Sequence, residues 1–147
     1  NSIWWLRHGI DFVHGVDIAA ERICEARRLA EEAGGADRCK FEVLDFSAWQ
    51  TDQKFDIVAA CGVFDYVEKP VPFLAHMAGF ANRVIYGSFP GWTLVRSPLR
   101  KLRYTFQRCP THFYREAEIR TLFAEVGFGP VDLRKVDSGR LVWAHRS

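Results

Sequence analysis

The sequence predicts an α/β fold, a doubly wound and mostly parallel sheet that finishes in an antiparallel C-terminal hairpin. Three observations predict it. Short apolar runs at 12–17, 40–44, 55–61 and 83–87 read as strands. Amphipathic stretches lie between and after them, most plainly at 115–126, where Ile119, Leu122, Phe123 and Val126 repeat at helical spacing before Gly127. Residues 131–136 and 141–145 then flank Asp137-Ser138-Gly139, a turn that suits two antiparallel strands. Strands that alternate with helices call for parallel neighbours, and the closing hairpin adds the antiparallel one.

Each element has a local reason. Ser2 suits the cap of a short helix over 3–8, ended by Gly9. Trp4 and Trp5 would also serve in a strand, but the short link to Phe12 favours a helix running into a strand. The strand at 12–17 ends in Asp17, and the helix after it sets Ile23, Ala26, Ala30 and Ala33 on one face. Gly34-Gly35 ends that helix, and the alternating run at 40–44 leads into Asp45-Phe46. Residues 47–54 are polar and loop-like. The nearly unbroken apolar run at 55–61 has the character of a parallel strand buried on both faces. It exits through Gly62-Val63-Phe64-Asp65-Tyr66. Pro70 and Pro72 suit a helix's first turn, with Phe73, Leu74, Met77, Ala78 and Ala81 as its apolar side.

Composition narrows the function. At 147 residues the chain reads as one domain, 1–147, large enough for a sheet covered on both faces. Hydrophobic residues make up 48% and charged ones 26%, as in ordinary globular proteins, and a net charge of +2 gives no reason to expect nucleic acid. No apolar run approaches a membrane span, and no signal peptide is visible. Cys24, Cys39, Cys61 and Cys109 form no C-x-x-C pair, so free thiols in a reducing cytosol are expected. No histidines and carboxylates share a ligand-like spacing, so no metal is expected.

Successive strands thus end in Asp17, Asp45-Phe46 and Cys61-Gly62, and in a doubly wound sheet such ends share the ligand-binding rim. A carboxylate there can accept a hydrogen bond from each of two ribose hydroxyls. The plain alternative is that each acid caps the turn or helix after it. A nicotinamide-binding sheet also uses a ribose acid like Asp17, but it accounts less well for Asp45-Phe46 and the terminal hairpin.

The order of these motifs resembles the class I S-adenosylmethionine-dependent methyltransferases over nearly the whole chain. The resemblance implies a Rossmann-like methyltransferase sheet, S-adenosylmethionine as cofactor and transfer of its methyl group to a small-molecule acceptor. It implies that Asp17, with Ile18 beside it, holds the ribose hydroxyls. Asp45 would bind the adenine amino group, and Phe46 would supply its backbone amide. Cys61, Gly62, Asp65 and Tyr66 would line the methionine end.

The resemblance also places the family's first strand and its G-x-G-x-G loop immediately before Asn1. Without them the sheet is expected not to stand with an empty centre. A strand of another chain fills it (a homo-oligomer being one form), or 12–17 closes against 55–61, or residues precede Asn1. The 147 residues alone are then expected to transfer little methyl. A catalytically incompetent, methyltransferase-like interaction or assembly module is the alternative reading.

Residues 88–114 are longer than a plain strand-to-helix link and rich in aromatic and basic side chains, which suits a substrate lid. A solvated basic surface is the alternative. Their layout resembles that of the magnesium-protoporphyrin O-methyltransferases, which implies a planar or anionic acceptor. Within them His112 and Tyr114 are the candidate catalytic residues. His14, mid-strand, reads as a core or near-core residue. Expected partners are the acceptor, with no nucleic acid and no membrane, in the cytoplasm.

Overall fold

The computed structural model describes residues 2–90, 112–136 and 139–147. The chain divides into two compact units, Asn1–Thr51 and Asp52–Ser147, each with its own sheet.

The first unit runs α1 (Ser2–Arg7), β1 (Val13–Asp17), α2 (Ala20–Glu32) and β2 (Cys39–Val43), with single 3-10 turns at Ala36–Arg38 and Phe46–Ala48. Gly9, at φ +88°, ends α1 in a conformation that other residues rarely adopt. β1 and β2 pair in parallel, with Val13 opposite Cys39 and Asp17 opposite Val43. Gly15 faces Phe41 in that register, and a Cβ on Gly15 would come within 2.7 Å of the Phe41 ring. Ile23, Ala30 and Phe41 form the core, with Ile3, Ala26 and Cys39 packed against it. The predicted α2 face therefore holds for Ile23, Ala26 and Ala30. Ala33 departs from it, because the helix ends at Glu32 and Ala33 is its exposed C-terminal cap.

The second unit runs β3 (Phe55–Ala60), α3 (Pro70–Phe80), β4 (Ala81–Pro90), α4 (Glu116–Glu125), β5 (Phe128–Val136) and β6 (Gly139–Arg146). Its sheet has the order β3-β4-β6-β5, with β3 and β4 parallel and β6 antiparallel to both neighbours. Leu74 and Met77 of α3, Ile119 and Phe123 of α4, and Ile85, Phe89, Phe128 and Val142 of the sheet are almost completely buried. Arg146 donates to the carbonyls of Ala78 and Ala81, tying the last strand to the α3–β4 corner.

The apolar run at 55–61 is not buried on both faces. Asp56 and Ala59 are exposed and Ile57 and Val58 half-buried, and among the described residues β3 pairs on one side only, with β4. β1 pairs with β2 and β3 with β4, each within its own unit. Ser88, Phe89 and Pro90, the expected start of the lid, are the last residues of β4. The rest of that segment up to 111 lies outside the described residues, as does the turn at 137–138. No helix of the described residues is long and apolar enough to cross a membrane.

Candidate active site

In the first unit, parallel pairing places Asp17 and Asp45 at the same end of the sheet. The Leu44 amide donates to the Asp17 carbonyl at 3.0 Å, carrying the ladder to the last residue before Asp45. Asp17 Oδ1 accepts from the Ala19 amide at 2.9 Å, and Asp45 Oδ1 from the Ser47 amide at 2.9 Å. Both acids are exposed, and the second oxygen of each has no protein partner among the described residues. The cap alternative thus splits. Asp17 stands two residues before the α2 N-cap, Ala19, and makes a turn of its own. Asp45 does cap the 3-10 turn Phe46–Ala48, with one oxygen.

Apolar surface lies beside these acids. Ile18 is 74% exposed, Val43 is 50% exposed, and Phe46 is half-buried. An exposed aliphatic side chain next to an open carboxylate suits a ligand with a flat apolar ring and polar edges. Beneath the acids, His14 is buried as the sequence suggested. Its Nε2 pairs with the Glu42 carboxylate, which also meets Lys40 Nζ at 3.1 Å, and its ring stands edge-on to Trp49 at 5.0 Å. The Lys40 and His14 contacts hold the Glu42 carboxyl below its ordinary range.

The second unit gathers the remaining candidates around the exit of β3. Gly62 sits at φ +70°, and its amide donates to Ser88 Oγ of β4 at 2.7 Å. Cys61 and Gly62 are exposed at this turn. Phe64 then dives into the core and stacks on Phe89 at 4.0 Å, with the rings 15° from parallel. The Tyr66 amide donates to the Val63 carbonyl at 2.9 Å, which returns Asp65 and Tyr66 to the surface side; Tyr66 is 45% exposed.

His112 and Tyr114 dock on the same structure. The His112 amide donates to the Asp65 carbonyl at 3.1 Å, and the Tyr114 amide to the Pro90 carbonyl at 3.1 Å. The Tyr114 ring stands edge-on to Phe89 at 5.3 Å and to Phe64 at 6.5 Å. Tyr114 is only 7% exposed. Its hydroxyl and His112 Nε2 are both buried without a hydrogen-bond partner among the described residues. An orphaned buried polar atom costs roughly 1–3 kcal/mol, so two within three residues call for an explanation. Burial, and then the charges of Asp65 and Glu118, push the Tyr114 phenol above its ordinary range. That shift favours the neutral phenol. Among the described residues no cluster of His, Cys, Asp or Glu could hold a metal ion.

The structure thus brings Asp17, Ile18, Asp45 and Phe46 together in one unit, and Cys61, Gly62, Asp65, Tyr66, His112 and Tyr114 in the other. Residues 7–121 match the model of a family described as a methyltransferase domain. The chain belongs to that family. Similar solved structures accord with the class I, S-adenosylmethionine-dependent type. Magnesium protoporphyrin IX methyltransferase from Synechocystis PCC 6803 with bound SAH is 25% identical, with a TM-score of 0.79 over 99% of this chain and 68% of that one. The same enzyme with bound SAM aligns at 21% identity and a TM-score of 0.73, covering 99% of this chain and 64% of that one. An O-methyltransferase family 2 protein from Planctomyces limnophilus DSM 3776, solved with apigenin, aligns at 17% identity and 0.77, covering 97% and 46%. This chain therefore spans about half to two thirds of these structures' lengths. No curated protein matches the sequence.

Within this methyltransferase domain one side-chain contact beside the candidate residues is not legible in the sequence. Ser88 opens the segment expected to form a lid, and in the structure its hydroxyl accepts from the Gly62 amide at the turn. The available signal was a serine directly after Gly87, close to the carboxyl end of its strand.

Proposed function

We propose that this methyltransferase domain binds S-adenosylmethionine at its strand ends and transfers the methyl group to a small-molecule acceptor. The observation that carries the reading is the pair of open carboxylates, Asp17 and Asp45, at matching ends of two paired parallel strands. Each keeps one oxygen for its own turn, which orients the carboxylate, and presents the other outward. That donor-poor, acceptor-rich arrangement fits a ligand offering ribose hydroxyls and an exocyclic amine. Asp17 would accept from the hydroxyls, Asp45 from the amine, and Ile18 and Phe46 would cover the base. Cys61, Gly62, Asp65 and Tyr66 would serve the methionine end.

When bound, the sulfonium supplies an activated methyl group, so the difficult chemistry belongs to the cofactor. The protein's share is alignment and the exclusion of water, which can contribute a large part of the barrier reduction. His112 and Tyr114 would face the acceptor.

Titration with S-adenosylhomocysteine tests the reading. Asp17→Ala removes two charge-assisted bonds worth about 1.5–3 kcal/mol each, so affinity should fall by more than ~100-fold. No heat of binding by the unaltered protein, or a loss below about threefold in Asp17→Ala, would overturn it and favour the non-catalytic interaction module.

A further inference from the structure

Among the described residues β5 pairs on one side only, with β6. Its register decides which backbone groups face the other way. Val136 stands opposite Gly139 with two residues between them, and the turn that closes such a hairpin aims the Val136 carbonyl at the Gly139 amide. The register runs unbroken from there back to Val131. Val136, Arg134 and Asp132 therefore turn their amides and carbonyls toward β6, and Lys135, Leu133 and Val131 turn theirs outward. The Arg120 guanidinium of α4 donates to the Val131 carbonyl at 2.7 Å, as an outward carbonyl allows.

Side chains alternate along the same strand. Leu133 lies opposite Val142, which is fully buried, so it belongs to the face under the helices. Asp132 and Arg134 are exposed on the other face. Asp132 Oδ2 lies 3.6 Å from His145 Nε2 of β6, yet the Asp132 side chain keeps 72% of its surface exposed. Arg134 has no ion-pair partner among the described residues.

We propose that the outward edge of β5 pairs, antiparallel, with the same edge of a second copy of this chain, about a two-fold axis at Leu133. The inference concerns assembly and does not depend on the function proposed above. The axis sets Asp132 of each copy opposite Arg134 of the partner subunit, and Val131 opposite Lys135 of the partner subunit. Leu133 meets Leu133 of the partner subunit. The pairs made by Val131, Leu133 and Lys135 bring outward amides against outward carbonyls. Val131 keeps a second lone pair for this beside the one Arg120 uses. The two Asp132–Arg134 pairs then fall at non-hydrogen-bonded positions, where facing side chains come closest.

Charge selects this register. An axis one residue earlier sets Asp132 against itself, and one residue later sets Arg134 against itself, and like charges directly opposite are destabilising. An axis between two residues would match outward groups with inward ones, which the ladder forbids. A short edge joined in this way makes a weak, concentration-dependent dimer rather than a permanent one.

Sedimentation equilibrium of the full chain tests the proposal. Dimers are expected at about 100 μM, the regime of small interfaces. Asp132→Lys and Arg134→Glu should each weaken the dimer by at least ~10-fold, because each sets like charges opposite one another twice. An equimolar mixture of the two variants should recover dimers to within about threefold of the unaltered protein, since each supplies the charge that the other lacks. Lys135→Pro, which removes one outward amide, should abolish the dimer while leaving the melting temperature within a few degrees, because proline is tolerated where a strand amide faces away from its sheet. A monomer at every concentration, single variants that dimerise like the unaltered protein, or a mixture that does not recover would overturn the proposal. A large fall in melting temperature for Lys135→Pro would do the same, by showing that this amide is used within the fold.

Discussion

The hydroxyl of Ser88 accepts the Gly62 amide hydrogen bond at 2.7 Å, and this side-chain contact takes over where the β3–β4 ladder stops at Ala60 and Gly87. Gly62 can then adopt φ +70° and turn the chain away from the sheet without leaving its amide unpaired. Ser88→Ala should destabilise the protein by about 0.5–1.5 kcal/mol, and Ser88→Thr, which keeps the hydroxyl, by less. Urea denaturation of the two variants checks this. Equal losses would mean that the hydroxyl bond contributes nothing.

Gly87 lies beneath the Phe64–Phe89 stack. A Cβ there would meet the Phe89 ring at 2.8 Å and the Phe64 ring at 3.1 Å, and neither buried ring has room to retreat. Gly87→Ala should cost about 1–3 kcal/mol by overpacking. Gly79, in α3, has nothing within 4 Å of such a Cβ. Gly79→Ala should instead stabilise by about 0.4–1 kcal/mol, through helix propensity and a less free unfolded chain. Opposite shifts in melting temperature are the expected result.

Glu42 is held below its ordinary pKa of 4.5 by Lys40 and by His14. A carboxyl whose folded pKa is depressed contributes stability that is present above the unfolded value and lost as pH falls through the folded one. Stability should therefore drop below about pH 4.5, and Glu42→Gln should flatten that part of the curve. Denaturation midpoints measured from pH 6 to pH 3 read this directly. An unchanged slope in Glu42→Gln would show that other carboxylates govern the acid limb.

Asp45 should read the base of the cofactor. If it accepts from the adenine amine, exchanging S-adenosylhomocysteine for its inosine analogue removes one charge-assisted bond, worth about 1.5–3 kcal/mol. The unaltered protein should then prefer the adenosine form by more than ~10-fold, and Asp45→Ala should lose the preference. A preference that survives the substitution would leave Asp45 as the cap of its 3-10 turn.

Local pattern alone determined much of this protein. The spacing of Ile119 and Phe123 predicts the buried face of α4, and both side chains are fully buried. Gly9 and Gly127 mark helix ends, and both take positive φ. The acids closing β1 and β2 were legible because a parallel strand delivers its last residue to a predictable edge of the sheet, and pairing sets Asp17 and Asp45 there. Helical and strand periods, caps and turn residues act within a few positions, so they can be read from neighbours in sequence.

Only the tertiary structure decided what depends on distant partners. Nothing local says that β3 pairs with β4, or that β6 runs antiparallel between β4 and β5, since pairing is set between distant segments. Nothing local joins Ser88 to Gly62, 26 residues away, or seats Tyr114 against Phe64 and Phe89. The sequence marks His112 and Tyr114 as able to carry protons. The burial of Tyr114 Oη and His112 Nε2 without partners among the described residues comes from long-range packing, which sets the Tyr114 ring against Phe64 and Phe89 while distant carbonyls pin the backbone at both positions.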